Sequence, residues 1–210
     1  LKIIINVLGP VQTNSYFIIN EDINETFIID PEEDAHYIIK KCKELQVKPV
    51  AILLTHGHFD HVGAVGDLKE LLKLPVYAGA EEEKLLADPA LNGSAKLGRT
   101  PLTVKTDKWL KDGEITELAG FFVKTIATPG HTSGSVCYYI ENENVLFCGD
   151  TLFNESFGRT DFPTGSQEKL ADSIINKLFT LPDETVVYPG HGGSTTIRHE
   201  KENNPIYHCR

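Results

Sequence analysis

The chain has 210 residues, a formal net charge of −10 and 40% hydrophobic residues. That length can bury a sizeable core without disulfide staples, and the acidic balance argues against nucleic acid and anionic membranes as partners. No apolar run approaches the ~18 residues of a membrane-spanning helix, and the four cysteines, Cys42, Cys137, Cys148 and Cys209, include no CxxC pair, so a reducing, cytoplasmic location is expected.

The N-terminal stretch "LKIIINVLGPVQTNSYFII" shows no signal-peptide cleavage site and reads as two Ile-rich strands, 2–8 and 15–20, about the turn "GPVQTN". "TFIID" (26–30) is a third strand. "DAHYIIKKCKELQ" (34–46) has helical spacing, and "PVAILLT" (49–55) is a buried strand. A histidine-rich loop follows, then a helix over 65–74 and a short strand over 75–79. Residues 80–112 read as a long crossover that overhangs a site. The second half repeats the style, with strands over 114–118, 121–128, 135–140 and 144–150. The helix predicted over 164–181 has Thr164 as N-cap and Gln167 three residues later, a capping box. A strand over 184–190 and a polar helix near 197–203 close the chain. Strands then a helix, twice over and without a linker, predict one α+β domain over 1–210, built as two β-sheets packed face to face with helices outside.

The chemistry gathers in "LLTHGHFDHVGA" (53–64). Imidazoles and carboxylates are the usual ligands of zinc, iron and manganese. Residues two apart in an extended loop point the same way, so His56 and His58 can clamp one ion while Asp60 and His61 reach a second. Three further strand ends each place a ligand type beside glycine: "TPGH" with His131, "FCGD" with Asp150 and "YPGH" with His191. Gly130, Gly149 and Gly190 let backbone come close to such a site. Seven ligating side chains exceed one tetrahedral ion and suit two, about 3.5 Å apart, with one bridging carboxylate. His36, His199 and His208 read as solvated, and Cys148 as core.

"THGHFDHVGA", "TPGHTSGSV", "FCGDTLF" and "YPGHGGSTTI" together resemble the metallo-β-lactamase fold superfamily. "GDTLFNESFGRTDFP" and "TTIRHEKENNP" resemble its small glyoxalase II-like, or hydroxyacylglutathione hydrolase-like, hydrolases. The resemblance implies a four-layer αββα sandwich with two mixed sheets. It assigns His56, His58 and His131 to one metal site and Asp60, His61 and His191 to the other, with Asp150 bridging. Asp30 matches a family aspartate that braces the ligand loop; it is also placed to cap a helix, with Pro31 first and Glu33 third. Arg159 is either a substrate-facing cation or a loop brace.

The expected cofactor is a pair of divalent ions, zinc first, with iron and manganese as alternatives. The expected partner is a small-molecule thioester, S-lactoylglutathione or a relative, hydrolysed by metal-bound hydroxide with Asp60 orienting the nucleophile. The chain ends without the helical domain of full-length glyoxalase II, which weakens the glutathione assignment more than the metal chemistry. The rival readings are a persulfide dioxygenase of the same fold with a single iron and a non-catalytic metal-binding protein.

Overall fold

A computed structural model describes residues 1–96 and 100–208; part of the predicted crossover (97–99) and Cys209 lie outside the described residues. The first sheet runs β1 (Lys2–Leu8), β2 (Thr13–Asn20), β3 (Glu25–Ile29), β4 (Lys48–Leu53), β5 (Val76–Gly79) and β6 (Lys108–Leu110) in spatial order. Its first two pairings are antiparallel and the rest parallel. The second sheet contains β7 (Ile115–Leu118), β8 (Phe121–Ala127), β9 (Val136–Ile140) and β10 (Val145–Gly149). β13 (Val186–Pro189) joins β10 in parallel, and β14 (Thr195–Thr196) closes that edge. Both sheets are therefore mixed, as the resemblance implied. A small hairpin, β11 (Leu152–Phe153) with β12 (Ser156–Phe157), stands apart.

Strand alternation sorts the apolar residues into three cores. Tyr16, Ile18, Phe27, Ile29 and Leu53 face the other sheet and meet Val136, Tyr138, Ile140 and Phe147. The alternate residues Phe17, Ile19, Ile28, Ile52 and Leu54 face outward onto α1 (Ala35–Glu44) and α3 (Val65–Leu72) through Ile38, Cys42, Val65 and Leu68. On the opposite side Cys137, Tyr139, Leu146 and Cys148 pack on α5 (Gln167–Asn176) and α6 (Ile197–Asn203) through Leu170, Ile174 and Ile197. Both faces of the central strands are covered, so these strands read as continuous apolar runs.

Some boundaries depart from expectation. The long helix starts at Gln167 with Ser166 as N-cap, and Thr164 does not cap it. Thr164 has φ +73° and belongs to a tight turn in which Gly165 N–H donates to the Phe162 carbonyl. Ser166 N–H then donates to the Gly130 carbonyl at 2.8 Å, so a contact with the second sheet sets where the helix begins. At the far end the α-helix stops at Asn176, followed by a single 3-10 turn. The crossover opens with a 3-10 turn (Ala80–Glu82) and α4 (Glu83–Ala87), the helical turn that "EEEKLLAD" suggests, and later contributes β6. The histidine loop winds into one helical turn, α2 (Phe59–Val62).

The Tyr138 hydroxyl crosses between the sheets and donates to the buried carbonyl of Leu54 at 2.7 Å, just before the histidine loop. Tyr138→Phe leaves that carbonyl without this partner and should cost about 1–3 kcal/mol. Urea unfolding of the metal-free protein measures this as a lower midpoint at unchanged slope. An unchanged midpoint would show that the bond does not couple the sheets.

Candidate metal centre

Strand direction brings the ligating segments to one edge of the sandwich. β3 and β4 are parallel and end together, so Asp30 and the histidine loop leave the first sheet side by side. In the second sheet β10 and β13 are parallel, and β8 runs the same way because two antiparallel steps separate it from β10. The segments after β8, β10 and β13 carry His131, Asp150 and His191. The start of β2, antiparallel to β3, arrives at the same edge. Asn14 N–H donates to the Gly190 carbonyl at 2.7 Å, and the Asn14 amide donates to the carbonyls of Pro189 and Gly192.

The seven side chains converge into two groups. Ligating atoms of His56, His58 and His131 lie within 4.8 Å of one another, as do those of Asp60, His61 and His191. Asp150 lies between the groups. One of its oxygens is 3.4 Å from His61 Nε2; the other is 3.5 Å from His191 Nε2 and 3.7 Å from His131 Nε2. Asp60 Oδ2 is 3.4 Å from His191 Nε2.

The far side of each ring explains its orientation. Asp30 Oδ2 accepts from Thr55 Oγ1 at 2.6 Å and from His61 Nδ1 at 3.0 Å, while Oδ1 accepts from Thr55 N–H at 2.8 Å. With the Thr55 hydroxyl thus donating, His56 Nδ1–H donates to Thr55 Oγ1 at 3.2 Å. His131 Nδ1–H donates to the Arg159 carbonyl at 2.7 Å. These bonds leave Nε2 of His56, His61 and His131 aimed at the centre. Asp30 does not cap α1; Asp34 does, through its Oδ1 and Tyr37 N–H. Asp30, His56 and His61 also lie within ligating distance of one another. Both Asp30 oxygens are engaged on the Nδ1 side of His61, which makes Asp30 a brace and not a ligand.

The chemistry of this donor set fits two cations. The buried atoms His56 Nε2, His58 Nε2, His61 Nε2 and Asp150 Oδ1 have no protein hydrogen-bond partner. His58 Nδ1 and His131 Nε2 lie 2.9 Å apart, close enough for both to reach one ion. Burial and then the neighbouring rings hold His56 well below the usual histidine range; burial and His131 bring His58 to about 3. These rings are therefore neutral, the state that binds metal. In the other group burial works to lower His61 and His191, but the carboxylates Asp150 and Asp60 outweigh it. His61 lies well above its ordinary value and His191 is raised to about 10. Burial works to raise Asp150, and His61 and His191 hold it well below the carboxylate range. A cation held by Asp60, His61, His191 and Asp150 would take over the role of those protons.

Glycine is required where backbone meets ligands. A Cβ on Gly190 would sit 2.1 Å from Asp150 Oδ1 and 2.8 Å from the His61 ring. One on Gly149, at φ +48°, would meet the Thr55 side chain at 2.2 Å. The Arg159 guanidinium pairs with Asp161 at 2.7 Å through two nitrogens and lies 4.0 Å over the Phe162 ring, at the surface. Phe162 in turn meets the His58 ring edge-on. His36 and His208 are exposed, and His199 pairs with Glu155. Cys148 Sγ donates to the Leu152 carbonyl at 3.0 Å, away from the ligands. Thr13, Asn14 and Glu82 support the centre without a sequence signal of their own, because each reaches it from a distant segment, whereas Thr55 adjoins the histidine loop.

Two outcomes follow from this geometry. Asp150→Ala should lose bound metal, whereas Cys148→Ala should keep full metal content at a cost of about 1 kcal/mol in stability; elemental analysis and denaturation separate them, and equal metal content would contradict the placement. His191 must shed a proton held up to about 10, so metal affinity should rise with pH across roughly pH 6 to 9. Competition titrations showing no pH dependence would contradict that sign.

The family model of the Metallo-beta-lactamase superfamily matches residues 8–191. A Bacillus subtilis protein named probable metallo-hydrolase YqgX is 43% identical over 201 residues, covering 95% of this chain and 94% of that one. The Haemophilus influenzae hydroxyacylglutathione hydrolase GloC is 36% identical over 192 residues, covering 90% and 91%. Among solved structures, the BLEG-1 B3 metallo-beta-lactamase superposes with a TM-score of 0.92 at 44% identity, covering 98% of this chain and 99% of that one. TTHA1623 in a di-iron-bound form reaches 0.86 at 35% identity, covering 97% and 99%. With two mixed sheets, a dinuclear site at their common edge and these relatives, the chain belongs to the metallo-beta-lactamase superfamily of metal-dependent hydrolases.

Proposed function

We propose that the chain is a dinuclear thioester hydrolase acting on S-lactoylglutathione or a related small thiol ester, with zinc as its metal. The observation that carries this reading is the pair of ligand groups held about one nearly buried carboxylate, Asp150, whose side chain is 12% exposed. The hydroxyacylglutathione hydrolase named among the relatives supports the substrate class. When bound, two such ions supply an activated water and a positive charge for the oxyanion of the carbonyl under attack.

The chain's own residues do the rest. Asp60 Oδ2 stands 3.4 Å from both the Thr13 hydroxyl and His191 Nε2, which supports a role for Asp60 in orienting the attacking water and accepting its proton. His191 is the most open of the ligands, with its side chain 28% exposed, so the substrate enters on that side of Asp60. A cavity of about 110 Å³ beside His58 is walled by Phe59, Leu91, Phe162 and Pro163 and receives the small acyl group out of water. The leaving thiol has an ordinary pKa of about 8.5, so it departs with little help from an acid. No serine or cysteine nucleophile is needed, and among the described residues every cysteine is buried.

Steady-state hydrolysis of a thioester panel, varying acyl and thiol parts in turn, with metal content measured on the same sample, tests the proposal. S-lactoylglutathione should be turned over, and changing the thiol part should move KM more than kcat, since remote contacts to the tripeptide act equally in ground and transition states. Thioester hydrolysis by the protein with two ions supports the reading. A dimetal protein inert to every thioester overturns it, as does oxygen uptake on a persulfide exceeding thioester turnover.

A further inference from the structure

Three consecutive glutamates, Glu81 to Glu83, follow β5, and only the middle one is buried. Glu82 is a carboxylate fully removed from solvent, outside the seven ligands, in a protein where burying an anion is costly unless it is hydrogen-bonded. Its partners are specific. Oε1 accepts from Gly57 N–H at 2.8 Å. Oε2 accepts from Gly134 N–H and from the Thr132 hydroxyl, each at 3.0 Å. Gly57 is the residue between His56 and His58, and Thr132 directly follows His131. One side chain thus joins the ligand loop of the first sheet to the ligand loop of the second.

The surroundings are built for this contact. A Cβ on Gly134 would lie 2.5 Å from Glu82 Oε2, and one on Gly57 would meet the side chains of Leu85 and Leu86 within 2.8 Å. The start of α4 is therefore pressed against both loops. Thr132 Oγ1 also meets Ser135 Oγ at 2.7 Å, which fixes the second loop around its hydroxyl. None of these partners belongs to the Asp60, His61 and His191 group, which Asp30, Thr13 and Asn14 brace from elsewhere.

We propose that Glu82 is the positioning residue of the three-histidine site: its three hydrogen bonds set the spacing of His56 and His58 against His131. It acts through Gly57, Thr132 and Gly134 and touches no ion. The inference rests on the metal-centre reading and is independent of the substrate. Supporting groups of this kind are worth about 10–100-fold in metal affinity.

The test is cobalt(II) titration of the full-length chain, followed by visible absorption, in two backgrounds. His191→Ala leaves the three-histidine site for study, and His58→Ala leaves the other. Adding Glu82→Gln should weaken binding about 10–100-fold in the first background and leave the second unchanged. A merely structural role would lower both alike, and equal losses in the two backgrounds overturn the proposal, as does no loss in either. Thr132→Val keeps Glu82 and removes one of its three bonds. It should give a smaller loss confined to the first background, and so decides the matter if Glu82→Gln does not fold, as judged by circular dichroism of the metal-free protein. Failure of both backgrounds to bind cobalt overturns the metal-centre reading together with this one, whereas thioesterase activity bears on neither.

Discussion

An imidazole ligates best when its far nitrogen is already engaged, and three of the five histidines of this site, His56, His61 and His131, meet that condition. Asp30 holds His61 directly and His56 through Thr55, while the Arg159 carbonyl holds His131. Each bond fixes a ring plane and the nitrogen that faces the centre, so the ligating nitrogens converge before an ion arrives. The cost is a set of buried polar atoms with no protein partner, which a folded chain tolerates when a ligand satisfies them. Asp30 also adopts φ +50°, an uncommon conformation for a residue other than glycine, stabilised here by its own three hydrogen bonds.

The fold supplies the rest of the condition. Mixed sheets let strands from both halves end at one edge, and the inter-sheet core of Tyr16, Phe27, Tyr138 and Phe147 fixes the distance between those edges. Two kinds of contact then bring the edges into register. Asn14 ties the start of β2 to the loop after β13, and Glu82 ties the loop after β4 to the loop after β8. The centre is an inter-sheet structure, and neither half of the chain contains it alone.

The sandwich was legible in the sequence because burial on both faces leaves apolar runs, and the helices carry amphipathic spacing. The ligating residues were legible because histidine and aspartate crowd into six positions and recur beside glycine at strand ends. What escaped was decided at long range. Thr164 has the residue type of an N-cap, but the turn through Gly165 and the contact of Ser166 with Gly130 move the cap two residues on. The hairpin β11–β12 and strand β14 have two residues per strand, too few for a periodic signal. Glu82 sits among three identical glutamates, and only the approach of Gly57 and Gly134 distinguishes it from its neighbours.

The central claim is a preorganised two-ion centre, and anomalous diffraction from crystals of the metal-loaded protein addresses it most directly. Two anomalous peaks about 3.5 Å apart are expected. One should lie among His56, His58 and His131, the other among Asp60, His61 and His191, with Asp150 between them and the ring orientations described above retained. A single peak under saturating metal, or two peaks reached only by reorientation of the histidine rings, would contradict it.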